Sequence, residues 1–177
     1  RRREWTRYPM HYGTTTKMKY TTWRLRSTWL ALLAAAMACT AQARDPDEPD
    51  WQWRAEPVAG SRGEVELVAT APVRAGWIIY GSDFQAGDFG PRPARLVVEQ
   101  GGQAVQAVRS EGAQPRTDRN FAGEYHYTYF AGQATFRQRV RVEAGAREVA
   151  GTLAGQSCFE ESGLCTLFKA PFAVALE

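Results

Sequence analysis

Two cysteines near the C-terminus are the residues of this chain best suited to chemistry. They stand in Gln156-Ser157-Cys158-Phe159-Glu160-Glu161-Ser162-Gly163-Leu164-Cys165, on what the sequence marks as one turn between two β-strands. Disulfide exchange proceeds by thiolate attack through a mixed disulfide, so it needs one accessible sulfur and a second close enough to resolve the adduct. A pair on a short turn supplies both. The competing use is a structural staple, and chain entropy makes a bridge across so short a loop worth about 2.5 kcal/mol, against about 4.7 kcal/mol for a hundred-residue loop. Spacing alone leaves the two readings open. Glu160 and Glu161 weigh toward exchange, because negative charge near the sulfurs disfavours thiolate and guards a free thiol until a partner activates it.

Other chemistries find little support. The histidines are His11, ahead of the folded part, and His126, alone in an aromatic segment, so two cysteines and one histidine lack an evident fourth metal ligand. His126 reads as a strand-surface residue. No nucleophile turn accompanies it for Ser-His-Asp catalysis, and no Gly-x-Gly-x-x-Gly or phosphate loop follows a strand. Glu160 and Glu161 are adjacent in sequence, which does not aim them at one bond. No cofactor and no bound metal are expected, although two thiols acting as soft ligands for copper form a third, weaker reading.

Residues 1 to 43 do not read as folded protein. Lys17, Lys19, Arg24 and Arg26 precede a ten-residue apolar run from Trp29 to Ala38, and Ala41-Gln42-Ala43 has the small-x-small pattern that a signal peptidase cuts. A membrane helix needs ~20 such residues. Met18 to Ala43 is therefore expected to be a signal peptide, and Arg1 to Lys17 a disordered upstream extension that is not native. Cys39 offers the alternative of lipid modification, against which stands Ala36 where such signals usually carry Leu.

The leader also distorts the charge. The chain has 22 Lys and Arg against 19 Asp and Glu, but eight of the bases and only Glu4 of the acids lie in residues 1 to 43. Residues 44 to 177 hold 14 bases and 18 acids, a net charge of −4, so a nucleic-acid partner loses its electrostatic support. Export is expected to place the protein in the periplasm or outside the cell, attached to a membrane only if Cys39 is lipidated. Thiol pairs tend to be oxidised there.

The elements that must hold the cysteines are strands. After an acidic, proline-broken linker from Arg44 to Asp50 the apolar period is two. Val65, Leu67 and Ala69 alternate with Glu64, Glu66 and Val68, Val140 and Val142 with Arg137, Arg139 and Arg141, and Phe172, Val174 and Leu176 with small residues. Further strands are expected at Trp51 to Glu56, Trp77 to Gly81, Ala94 to Glu99, Ala104 to Arg109, Tyr125 to Phe130 and Glu148 to Gln156, punctuated by turns such as Gly101-Gly102 and Ala144-Gly145. Gln114 to Asn120, polar and turn-prone, reads as a mobile loop. About nine short strands without a convincing amphipathic helix point to an all-β, immunoglobulin-like antiparallel sandwich over residues 51 to 177, lacking the Cys-Trp-Cys spacing of an antibody domain. The length suffices for one core that buries roughly two-thirds of the unfolded surface.

Taken in order, Gly76-Trp77-Ile78-Ile79-Tyr80, Asp118-Arg119-Asn120-Phe121, the Tyr125 to Val142 hairpin, the strand from Val149 that ends in Gly155-Gln156-Ser157-Cys158, and Gly163-Leu164-Cys165 resemble the N-terminal periplasmic domain of the thiol:disulfide interchange protein DsbD. The resemblance covers nearly all of the chain after the leader, and Gly-Gln-x-Cys before the cysteine turn is its most specific part. It implies an immunoglobulin-like domain that carries electrons from a membrane-embedded reductase to periplasmic thioredoxin-fold oxidoreductases, including disulfide isomerases and cytochrome c maturation factors. By position, Cys165 resembles the sulfur that joins the partner and Cys158 the one that resolves the adduct. Phe121 resembles a cap-loop aromatic over the pair and Tyr80 an aromatic of the active-site wall, although both are also of the kind that fills sandwich cores.

Three departures accompany the likeness. Cys165 leads into Thr166-Leu167-Phe168-Lys169-Ala170-Pro171, where relatives carry earlier prolines, and Asn120, preceded by Arg119, stands where they carry an acid beside the cap aromatic. The sequence reaches Glu177 without the membrane segments or thioredoxin-like domain of the full-length family protein, so the electron donor is expected to be a separate membrane protein. The alternative class is a non-enzymatic binding or assembly module whose disulfide is purely structural.

Overall fold

A computed structural model describes residues 48–176. The leader with Cys39 and most of the acidic linker lie outside them. In chain order the strands are β1 (Gln52–Pro57), β2 (Glu64–Pro72), β3 (Trp77–Tyr80), β4 (Arg95–Gln100), β5 (Gly102–Ala104), β6 (Arg109–Ser110), β7 (Gln114–Asn120), β8 (Gly123–Phe130), β9 (Gln133–Val142), β10 (Glu148–Phe159) and β11 (Leu164–Ala175). There is no helix among the described residues. One sheet runs β1-β2-β9-β5, with β6 also on β9, and the other runs β11-β10-β3-β8-β7, with β4 also on β10. Every pairing is antiparallel. This is an immunoglobulin-like sandwich.

Alternation decides which face is buried. In the first sheet Leu67, Ala69 and Ala71 lie opposite Gln138, Phe136 and Ala134 and turn inward. The second sheet meets them with Ile79, Phe130, Val149, Leu153, Phe168 and Phe172. Arg137 and Arg141, on the outward face of β9, pair instead with Glu56, Glu66, Glu111 and Glu64. Trp51 packs on both Phe136 and Phe168, and Trp53 stacks on Phe172 at 4.2 Å, so β1 helps to close the two sheets over each other.

Two expectations need correction. Gln114 to Asn120 is strand β7, paired along its whole length with β8. Its polarity is that of a sheet edge, where one row of backbone groups and many side chains face water. Ala104 to Arg109 is not one strand, because the chain leaves β9 after Ala104 and returns as β6. Gln138 fills the gap, buried in the core face, with its Nε2 donating to the Gln106 carbonyl at 3.1 Å. Gly101, between β4 and β5, punctuates the chain as expected and is the point where it crosses from one sheet to the other. Gly101 has φ 76°, and a Cβ there would lie 1.9 Å from the Glu148 carbonyl oxygen, so no other residue fits without moving the backbone of β10.

Candidate functional site

β10 and β11 form the longest hairpin among the described residues, and their register sets Cys158 directly opposite Cys165. The two Cα atoms are 4.1 Å apart and the sulfurs are bonded as a disulfide. Glu160 to Gly163 make the connecting turn. Gly163, at φ 69°, adopts the left-handed conformation that costs other residues about 1–2 kcal/mol, and its N–H donates to the Phe159 carbonyl at 2.9 Å. The turn is also tied sideways, Glu160 N–H donating to the Gly76 carbonyl at 2.8 Å.

The two sulfurs are not equivalent, and topology is the reason. β10 is an interior strand, with β11 on one side and Ile78 of β3 opposite Cys158 on the other. β11 is an edge strand. Cys158 is accordingly only 4 % exposed, whereas Cys165 is exposed. Both point away from the sandwich core, because Ile79, opposite Ser157, and Phe168, three residues after Cys165, belong to the inward set and alternation turns the cysteines to the other face. The disulfide therefore lies on the outer face of the second sheet.

That face is lined with tyrosine. Tyr80 follows Ile78 on the same side of β3, its ring 5.2 Å from Tyr127 and 6.4 Å from Phe84 in edge-on contacts. Burial, reinforced by Tyr127 and Tyr125, pushes its hydroxyl up to about 12, so Tyr80 stays protonated at any ordinary pH. Tyr125, Tyr127 and Tyr129 continue the row along β8. The register of β7 against β8 adds Arg116, opposite Tyr127, to this surface. Its guanidinium sits 4.0 Å from the centre of the Tyr129 ring and donates to Glu160 Oε1 at 2.7 Å. Glu160 raises the affinity of that guanidinium for its proton still further. Arg116 thus joins the β7–β8 hairpin to the cysteine turn. The polar run Gln114 to Asn120 hides it in the sequence by resembling a loop; as a strand, its Gln114, Arg116 and Asp118 alternate in step with Tyr129, Tyr127 and Tyr125.

Phe121 occupies the tip of the same hairpin, between Asn120 and Gly123. It is 85 % exposed, which excludes a place in the core, and its ring packs on Phe89 with centroids 4.8 Å apart. Asn120 Nδ2 donates to the Phe89 carbonyl at 2.7 Å, while Asn120 Oδ1 accepts from Ala122 N–H at 2.8 Å. The residue at the position where an acid was expected therefore shapes the turn and fastens it to the loop before β4. His126 lies on the opposite side of β8, exposed, with Thr117 Oγ1 2.7 Å from its Nδ1 and Glu124 at 3.7 Å. Among the described residues no cluster of His, Cys, Asp and Glu is disposed to hold a metal.

No family model and no curated protein matches the sequence. Solved structures do match by shape. The reduced N-terminal domain of DsbD from Neisseria meningitidis superposes with a TM-score of 0.40 at 13% identity, over 62% of this chain and 75% of that one. The N-terminal periplasmic domain of ScsB from Proteus mirabilis gives a TM-score of 0.52 at 16% identity, over 75% of this chain and 49% of that one. The chain thus spans about half the length of that structure. The likeness is one of fold, and the fold is that of the ScsB N-terminal periplasmic domain.

Proposed function

We propose that this protein is an exported thiol-disulfide exchange domain that takes electrons from a membrane reductase and passes them to periplasmic thioredoxin-fold oxidoreductases through reversible opening of Cys158–Cys165. The observation that carries the reading is the asymmetry of the pair: an exposed sulfur on an edge strand, bonded to a buried one on an interior strand. A partner's thiolate can reach Cys165. Cys158, held in register 4.1 Å away at Cα, stays poised to expel the partner from the mixed disulfide. The outward placement supports the same reading, since opening the bond there disturbs none of the packing between the sheets. The resemblance of the cysteine turn to the DsbD N-terminal domain and the likeness of fold to a periplasmic domain support the partners and the compartment.

The test is mechanism-based trapping. Cys158→Ser should capture a thioredoxin-fold protein from a periplasmic extract as a stable mixed disulfide through Cys165, and Cys165→Ser should capture little. Equilibration with glutathione or dithiothreitol should place the pair above about −300 mV, the level below which structural bridges of exported proteins usually lie. A folded Cys158→Ser variant that traps nothing, together with a potential below that level, leaves the disulfide a staple.

A further inference from the structure

Beside the disulfide, on the same outer face, opens a cleft of about 630 Å³. Ala154, Leu167 and Lys169 contribute to its floor, and the segment between β3 and β4 forms its wall. Strand register locates it relative to the sulfurs. Cys158–Cys165, Gln156–Leu167 and Ala154–Lys169 are successive pairs on this face, each step advancing about 7 Å along the strands. Gln156 is where the wall is fastened, its Oε1 accepting from Arg92 N–H at 2.8 Å. The cleft therefore begins one cross-strand pair beyond Cys165.

Its charge is opposite to that of the domain around it. Arg92, Arg95 and Lys169 line it, against one carboxylate, Asp88. Residues 44 to 177 as a whole carry a net charge of −4. Among the arginines elsewhere, Arg54, Arg109, Arg116, Arg119, Arg137 and Arg141 are spent on carboxylates, whereas Arg62, Arg139 and Arg147 make no such pair among the described residues. None of the three cleft cations is so engaged among the described residues. Unspent cations around a partly apolar floor suit a carboxylate-bearing ligand, and the volume falls in the roughly 300–1,000 Å³ range of small-molecule sites.

We propose that the cleft binds a small carboxylate-bearing thiol and presents its sulfur to Cys165. An extended tripeptide spans ~10 Å, enough to put a thiol at the disulfide and a carboxylate among the cations. This rests on the reading that the pair exchanges. In the step itself the ligand's thiolate forms a bond to Cys165 Sγ while the Cys158–Cys165 bond breaks, and the electron pair leaves on Cys158, which takes a proton from water. A second ligand molecule then attacks the sulfur of the first. Cys165 departs as a thiolate, the ligand is released as its own disulfide, and two electrons have entered the protein.

The experiment measures rates of reduction of the oxidised protein by glutathione, by neutral 2-mercaptoethanol and by cationic cysteamine, each corrected for its thiolate fraction. In the wild type the glutathione rate should stand above the other two at low ionic strength and lose that lead in high salt. Arg95→Gln/Lys169→Gln, two exposed positions, should lower the ratio of glutathione to 2-mercaptoethanol rates on the order of tenfold, and Lys169→Arg should keep it. A ratio that is the same in wild type and double variant removes the cleft while leaving the exchange reading intact. Failure of the folded wild type to react with any of the three thiols overturns both.

Discussion

Glu160 stands two residues from Cys158 with its carboxylate held at 2.7 Å by Arg116. In the sequence the acidic turn is a field that disfavours thiolate; the arginine offsets the Glu160 part of it, and nothing in the order of residues around the cysteines announces a group arriving from a strand so far away in the chain. An ion pair exposed to this degree contributes about 0–1 kcal/mol to stability, and the stacking of Arg116 over Tyr129 adds a similar amount. Its consequence for the sulfurs is a matter of charge. Arg116→Ala should leave Glu160 uncompensated beside the reduced pair and move the pH at which Cys165 becomes reactive upward, since a nearby negative charge favours the protonated thiol. The pH profile of alkylation of the reduced protein reads this directly, and Arg116→Lys should restore it. A profile that does not move while the denaturant midpoint falls would reduce Arg116 to a structural tie.

At the scale of elements, the strands with strict alternation were legible and those whose pattern is broken by function or by topology were not. β2, β9 and the inward half of β11 announce themselves because one face is buried along the whole strand. β7 does not, because it is an edge strand whose inward neighbours are tyrosines of the outer face rather than core residues. The cysteine hairpin was legible as a turn but not as an interior strand paired with an edge strand, a distinction set by the remote partners β3 and β4 and decisive for which sulfur is exposed. Phe121 belongs to this scale, since its position depends on the β7–β8 hairpin being formed. Lying in the open on Phe89, it contributes little to stability, and Phe121→Ala should shift the denaturant midpoint by less than about 0.5 kcal/mol, where a core phenylalanine costs about 3–5. If the hairpin tip serves as a cap, the same variant should speed alkylation of the reduced pair. An unchanged alkylation rate would remove Phe121 from the site and leave Arg116 as the hairpin's contact with it.

For the whole molecule the question is whether the sandwich survives the opening of its only described disulfide. The core is independent of it: Phe136, Leu67, Ile79, Leu153, Val140 and Val149 are fully buried between the sheets, while the cysteines sit on the far side of β10 and β11. The bridge closes a sequence separation of 7, so in a chain-entropy account it stabilises by only about 2.5 kcal/mol. Twelve cross-strand pairs hold β10 to β11 with or without the sulfur bond. Reduction of the wild-type protein with dithiothreitol should therefore leave a β-rich, cooperatively unfolding domain, weakened by about 2 to 4 kcal/mol in denaturant titrations of the oxidised and reduced forms side by side. The Cys158→Ser/Cys165→Ser variant should fall in the same range, somewhat lower because a serine hydroxyl at the buried position 158 must find a partner. Loss of the cooperative transition on reduction would identify the disulfide as a structural necessity, and a domain that unfolds whenever it accepts electrons cannot hold Cys158 ready to resolve a mixed disulfide.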